Sequence, residues 1–199
     1  MRILFSILLT MATTQLWGQR GYIKLDNDSI FSGFLRHYKS YKDGHEGYEL
    51  WKTKTDKNPR KIPIQLIKEY AIKEDTFKIL HQFKPFPEDR LYFEMVDAKV
   101  ESRGKVNLYS IDNYRRIYMA SFSTAGQLPL NNFQYMKETI YILEDNKNGF
   151  LMALPNAKAE LERSLVDYLP EKYLKKYIEV NGKIKYKTIP DLIKLYNSK

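Results

Sequence analysis

The sequence predicts an α+β chain: mainly antiparallel β, as a barrel-like or curved sheet, followed by a small C-terminal helical segment. Three observations predict it. Apolar residues recur at every second position through the first two thirds, short runs are separated by turn pairs such as Asn148-Gly149, and the apolar period lengthens to 3.6 residues after Pro155.

In order, Tyr22 to Leu25 and Ser29 to Arg36 alternate on either side of Asp26-Asn27-Asp28, which has turn composition, so they predict a hairpin. Residues 39–47 read as a polar loop with Gly44 and Gly47 as breakers. Tyr48 to Thr53 alternates again, Asp56 to Pro59 turns, and Lys61 to Ile64 contains Pro63, which has no N–H to give a ladder and so predicts an edge position. Ile67 to Ile72 and Thr76 to Leu80 flank Lys73-Glu74-Asp75, a second hairpin. Pro85 and Pro87 oppose both helix and central strand and mark a boundary.

Beyond it, Leu91 to Val96 and Val100 pair with Lys105 to Ile111 across Ser102-Arg103-Gly104. A strand from Arg116 to Phe122 leads into Ser123 to Asn132, the longest stretch without periodicity. Tyr135 to Glu144 and Phe150 to Leu154 enclose the turn at Asp145 to Gly149. Asn156 then caps a helix whose inner face holds Leu161, Leu165, Tyr168 and Leu169, and Pro170 stops it. A second helix, Glu171 to Tyr177, buries Tyr173, Leu174 and Tyr177 before Asn181-Gly182 turns the chain. A third starts at Thr188 or Ile189, with Pro190 early and Asp191 in its first turn; Leu192, Ile193 and Tyr196 face inward. The expected organisation is a leader at 1–18, an N-terminal β region at 19–84, a second β region at 85–154 with a long loop near 123–132, and a helical cap at 155–199.

The leader is the strongest functional signal. Arg2 gives a positive start, Ile3 to Ala12 are apolar apart from Ser6 and Thr10, and Thr13 to Gly18 are small or polar apart from Leu16 and Trp17. That pattern predicts a secretory signal peptide, cut between Gly18 and Gln19. The apolar stretch covers about half of the ~20 residues that span a bilayer as a helix. In the remaining chain the longest apolar run is Phe150 to Leu154, so no transmembrane span is expected after removal of the signal. The expected address is the periplasm, the outer membrane or the exterior of a Gram-negative cell.

The chain has 199 residues, 33 basic and 24 acidic side chains and no cysteine. The missing thiols exclude a disulfide scaffold, a cysteine nucleophile, thiolate metal sites and lipidation of a leader cysteine. No two glycines are separated by a single residue, which excludes a G-x-G-x-x-G phosphate cradle, and there is no G-x-S-x-G elbow. His37, His45 and His81 never fall four apart, and Asp26 to Asp28 opens no calcium loop, because Phe31 stands where its glycine belongs. No metal or cofactor is therefore expected. Tyrosine beside lysine or arginine can stack bases, but in a strand it also follows from one ring turned inward and one charge outward; with export, no nucleic-acid partner is expected.

Two groups of residues are candidates for binding. From Glu171 to Lys199 there are eight lysines and three acids, a surplus that draws anionic envelope components or an acidic envelope protein; Lys172, Lys175, Lys176, Lys183, Lys185 and Lys187 are the expected contacts. The second group, Tyr114, Arg115, Arg116, Tyr118, Phe133 and Tyr135, brackets the long irregular stretch and predicts a pocket mouth. Neither nominates a nucleophile or a carboxylate pair, so the expected role is non-catalytic binding or assembly. The alternatives are an envelope hydrolase with dispersed carboxylates and His37 or His45, or a carrier of an apolar ligand.

Two resemblances accompany these readings. Gly21-Tyr22-Ile23-x-Leu25-x-Asn27, Gly33-x-Leu35, and Ile62-Pro63-Ile64 before Ile67-Lys68-Glu69-Tyr70 resemble the opening of SH3-like or Sm-like barrels, with Asp28 in place of the usual turn glycine. That resemblance implies a small barrel in the N-terminal β region and says nothing of activity. The leader ending before Gln19, the strand Lys105-Val106-Asn107-Leu108-Tyr109 and the ending Tyr186 to Asn197 resemble uncharacterised exported proteins of the Bacteroidota. This second resemblance implies a Gram-negative envelope and supplies no catalytic residues.

Overall fold

The structure, a computed structural model, describes residues 18–39, 46–53, 55–86, 91–119, 132–146 and 149–198; at 114–119 and 132–135 it describes the backbone alone. Among the described residues, strands account for about half, every ladder is antiparallel, and three short helices complete the expected α+β class. The chain divides into two compact units between Ile79 and Leu80.

The first unit holds β1 (Gln19–Leu25), β2 (Ile30–Lys39), β3 (Glu46–Trp51), β4 (Arg60–Pro63), a 3-10 turn (Ile64–Leu66), β5 (Ile67–Ile72) and the first half of β6 (Asp75–Phe83). Its ladder runs in the order β6-β5-β1-β2-β3-β4, so Pro63 lies on an edge strand, where its missing N–H costs no inner bond. Alternate residues build the core: Ile23, Leu35, Tyr48, Ile62, Ile67 and Tyr70 are buried, and the rings of Tyr48, Tyr70 and Phe77 stack in sequence at 4.6 and 5.0 Å. Gly21 and Gly33 pair directly across β1 and β2. A Cβ on Gly33 would collide with the Trp51 carbonyl oxygen, so this row of the sheet closes only with glycine. At the β1–β2 turn, Asp28 takes the glycine's backbone conformation, with φ 63°. Asp tolerates that region, and its carboxylate lies 3.0 Å from the ammonium groups of both Lys24 and Lys68.

The second unit starts with the last residues of β6 and continues with β7 (Phe93–Ser102), β8 (Val106–Met119), β9 (Asn132–Asp145) and β10 (Leu151–Ala153), ordered β10-β9-β8-β7. The helices are α1 (Lys158–Val166), α2 (Glu171–Asn181) and, after a 3-10 turn at Tyr186–Thr188, α3 (Ile189–Asn197). Over 106–111 and 140–143 the paired strands β8 and β9 are buried or half-buried on both faces. Leu108 and Leu143 meet the helices' Leu161, Leu165, Ile189 and Leu192 on one side; Tyr109, Ile111, Ile140 and Ile142 meet Leu80, Phe83 and Ala98 on the other. Each fully buried leucine or isoleucine here contributes about 1.5–3 kcal/mol of transfer free energy, which fixes helices too short to persist alone.

Several boundaries differ from expectation. Leu91 to Val100 is expected in two pieces but forms one strand from Phe93, and the strands expected at 105–111 and 116–122 are one strand, Val106–Met119. Asp112 to Arg115 look like a break in the apolar alternation, yet each has a ladder partner on β9, from Asp112 opposite Thr139 to Arg115 opposite Met136. Cross-strand pairing holds a polar stretch extended where burial does not. Apart from Asn132, which begins β9, the irregular stretch at 123–132 lies outside the described residues, as do the leader up to residue 17 and His45. Helix α1 takes Ala157 as its N-cap without a side-chain bond, so Asn156 is not the cap, and α2 runs four residues past Tyr177 until Gly182, at φ 81°, ends it.

Candidate functional site

The C-terminal lysines separate into two sets. Lys172, Lys175 and Lys176 lie on α2 and, with Glu171 and Glu179, line one open hollow. Lys183, Lys185 and Lys187 are exposed in the segment joining α2 to α3 and are not among its lining residues. Helix geometry gives the reason: positions 172, 175, 176 and 179 fall on one side of α2, whereas Gly182 ends the helix before Lys183 can join them. Within the hollow, Lys175 Nζ lies 2.7 Å from Glu171 Oε1, one turn earlier. The contact pulls the Glu171 carboxyl below its ordinary value and lifts the Lys175 ammonium above its own.

Lys176 also borders an apolar hollow, whose other lining residues are Tyr173, Tyr177, Val180 and Asn181 of α2 and Leu195 of α3. Val180 is 75% exposed and Leu195 44%. The floor is firm. Tyr173 donates its hydroxyl to the Leu192 carbonyl oxygen at 3.2 Å and packs on Tyr196 at 5.1 Å, while Lys105 Nζ lies 5.4 Å from the centre of the Tyr196 ring. Burial raises the pKa of the Tyr173 phenol, with the neighbouring Tyr177 and Tyr196 adding to it, so it stays a hydrogen-bond donor.

Sequence reasoning placed Tyr173 and Tyr177 on an inner face and did not single out Val180 or Leu195. The signal was present: with α2 continued to Asn181, Tyr173, Tyr177 and Val180 form one stripe, and Leu195 is the apolar residue of α3 left off its inward face.

The second candidate group is divided by the ladder. Arg116 stands opposite Tyr135 and Tyr118 opposite Phe133, and Tyr114 shares their strand parity; Arg115, opposite Met136, has the other parity. By the two-residue period, five of the six positions belong to the sheet face that carries Leu108 and the helices, and Arg115 belongs to the face that carries Ile111.

Other chemistry-bearing groups have partners within the fold. His37 Nε2 lies 2.8 Å from Glu46 Oε1, and Glu49, almost buried, accepts from Arg36 Nη2 at 2.7 Å. The Tyr109 hydroxyl donates to Glu144 Oε2, which also accepts from Asn107 Nδ2 at 3.0 Å; burial, then that hydrogen bond and the Glu144 charge, raise the phenol's pKa. Ser102 and Lys105 have S-x-x-K spacing. They do not form a nucleophile and base: Ser102 Oγ accepts from Asn197 Nδ2 at 2.8 Å, and Lys105 lies on Tyr196. Among the described residues no three His, Asp or Glu side chains gather to hold a metal, and no helix is long and apolar enough to cross a membrane. No protein-family model, curated protein or solved structure matches the chain.

Proposed function

We propose that this protein is exported to a Gram-negative envelope and acts there by binding, without catalysis, holding an anionic component through its C-terminal helices. The observation that carries this reading is the gathering of Lys172, Lys175 and Lys176 around one solvent-open hollow. Three ammonium groups against the carboxylates of Glu171 and Glu179 leave the hollow net positive by one, a local field that draws an anionic partner. The sequence supports export, since Arg2, the apolar stretch from Ile3 and the small residue Gly18 have signal-peptide order.

Two measurements test the reading. The form accumulated by the host should begin at Gln19, by mass spectrometry of its N-terminal peptide; an exported form that retains Met1 overturns the cleavage. That form should be retained by an immobilised acidic polysaccharide or by acidic vesicles at low salt and released as salt rises. Absence of retention on both overturns the binding role.

A further inference from the structure

We propose that the face shared by α2 and α3 seats on the headgroup layer of an acidic bilayer, with Val180 and Leu195 entering the acyl boundary and lysines contacting the phosphates. This rests on the anionic-component reading and names its source.

The argument starts from two chemistries on one surface. Val180 and Leu195, at 75% and 44% exposure, are large apolar side chains around a hollow with little polar lining, where water gains few hydrogen bonds. Lys176 borders that hollow and also the basic one beside it, so the apolar and cationic surfaces are contiguous through a single side chain. Glu171 in the basic hollow is engaged by Lys175, which leaves Glu179 as the other acid there.

A lysine stem can lie along apolar surface while its ammonium reaches outward to a phosphate. That is the arrangement of interfacial helices, in which apolar burial and attraction to acidic lipid add. An acidic polysaccharide would satisfy the lysines and leave Val180 and Leu195 in water. Charge complementarity combined with an apolar acceptor selects the bilayer. Tyr177, half-buried at the same hollow, suits the boundary as well, because tyrosine joins a ring body to a polar tip.

The test is co-sedimentation of the protein, in the form its host accumulates, with vesicles of phosphatidylcholine alone or mixed with phosphatidylglycerol, at low and high salt. Binding is expected to the acidic vesicles and to weaken with salt. Val180→Asp and Leu195→Asp should each lower partitioning roughly tenfold, because each removes one buried apolar side chain. Lys172→Gln with Lys176→Gln should lower it by roughly tenfold or more, since each lysine near an anionic surface is worth about a factor of five. The unfolding midpoint of each variant controls for folding. As a second readout, Val180→Trp should show a blue-shifted emission component, absent from the parent, on acidic vesicles only.

Unchanged partitioning of both aspartate variants, or an unshifted indole emission from Val180→Trp, overturns the proposal. Retention on polysaccharide without vesicle binding overturns it while leaving the anionic-component reading intact; binding to neither removes both. A concentration-dependent dimer abolished by Val180→Asp, with vesicle binding unaltered, assigns the face to a second copy and also overturns it.

Discussion

Tyr186 shows how one side chain ties a polar contact to stability. Its hydroxyl accepts from the Tyr141 backbone N–H at 3.0 Å and donates to the Leu154 carbonyl oxygen at 3.2 Å, while its ring packs on Tyr141 at 5.0 Å. It thus bridges β9 and the chain just after β10. Burial pushes its pKa up to about 12; the Tyr141 N–H opposes that shift, and the charges of the Tyr141 phenol and of Glu138 add to it. The sign follows from linkage. A phenol whose folded pKa lies above its unfolded value, about 10, contributes stability present below pH ~10 and lost as pH rises toward the folded value. The denaturant midpoint should therefore fall between about pH 10 and pH 12. Tyr186→Phe should flatten part of that fall and cost about 1–3 kcal/mol at neutral pH, because a buried N–H and a carbonyl lose their partner. Equilibrium unfolding across that range checks both. An unchanged alkaline slope in the variant would show that Tyr186 ionises as an exposed tyrosine does.

At the scale of elements, the docking of α3 depends on a contact far apart in sequence. Asn197, the last residue of the helix, accepts from the Val106 N–H at 3.2 Å and donates to the Val106 carbonyl oxygen and to Ser102 Oγ, each at 2.8 Å. One amide thus fastens the end of α3 to the β7–β8 hairpin. Asn197→Leu should cost about 1–3 kcal/mol, since Val106 is buried and its polar groups cannot turn to water. Gly104→Ala should act on the same lock, because a Cβ there would lie 2.6 Å from Asn197 Cγ. The double variant should then cost less than the sum of the single ones; additivity within about 0.5 kcal/mol would show that the two positions act independently.

This lock marks the limit of what a linear sequence shows. The class, the hairpins at Asp26–Asp28 and Lys73–Glu74, the edge position of Pro63 and the early Pro190 were legible, because each depends on neighbours within a few residues. The continuity of β8 through Asp112 to Arg115 was not, since its cause is the register with β9, some 25 residues away. The exposed Val180 and Leu195 were hidden for a related reason. Periodicity identifies apolar positions, but only packing shows which of them the core leaves uncovered.

Across the whole molecule, charge is distributed less evenly than the total suggests. The chain after Gly18 carries 32 basic and 24 acidic side chains, a surplus of eight. Residues 80–170 hold 11 basic and 12 acidic, while residues 171–199 hold eight and three, so the positive surplus of the second unit lies entirely in its last 29 residues. Adsorption to a charged surface responds to the most concentrated patch, because interactions beyond a Debye length, roughly 8–10 Å, are screened. Reversing Lys172, Lys175 and Lys176 to Glu removes six charge units from that patch. Reversing Lys52, Lys57 and Lys73, all exposed in the first unit, removes the same six from elsewhere. Both triple variants carry the same net charge, so a protein that behaved as a uniform charged body would shift equally on cation exchange in either case. With a localised patch, the α2 variant should elute at a clearly lower salt concentration than the first-unit variant and lose most of its retention on acidic polysaccharide. Equal elution of the two would mean that total charge governs adsorption, and that the lysine cluster on α2 has no part in choosing the partner.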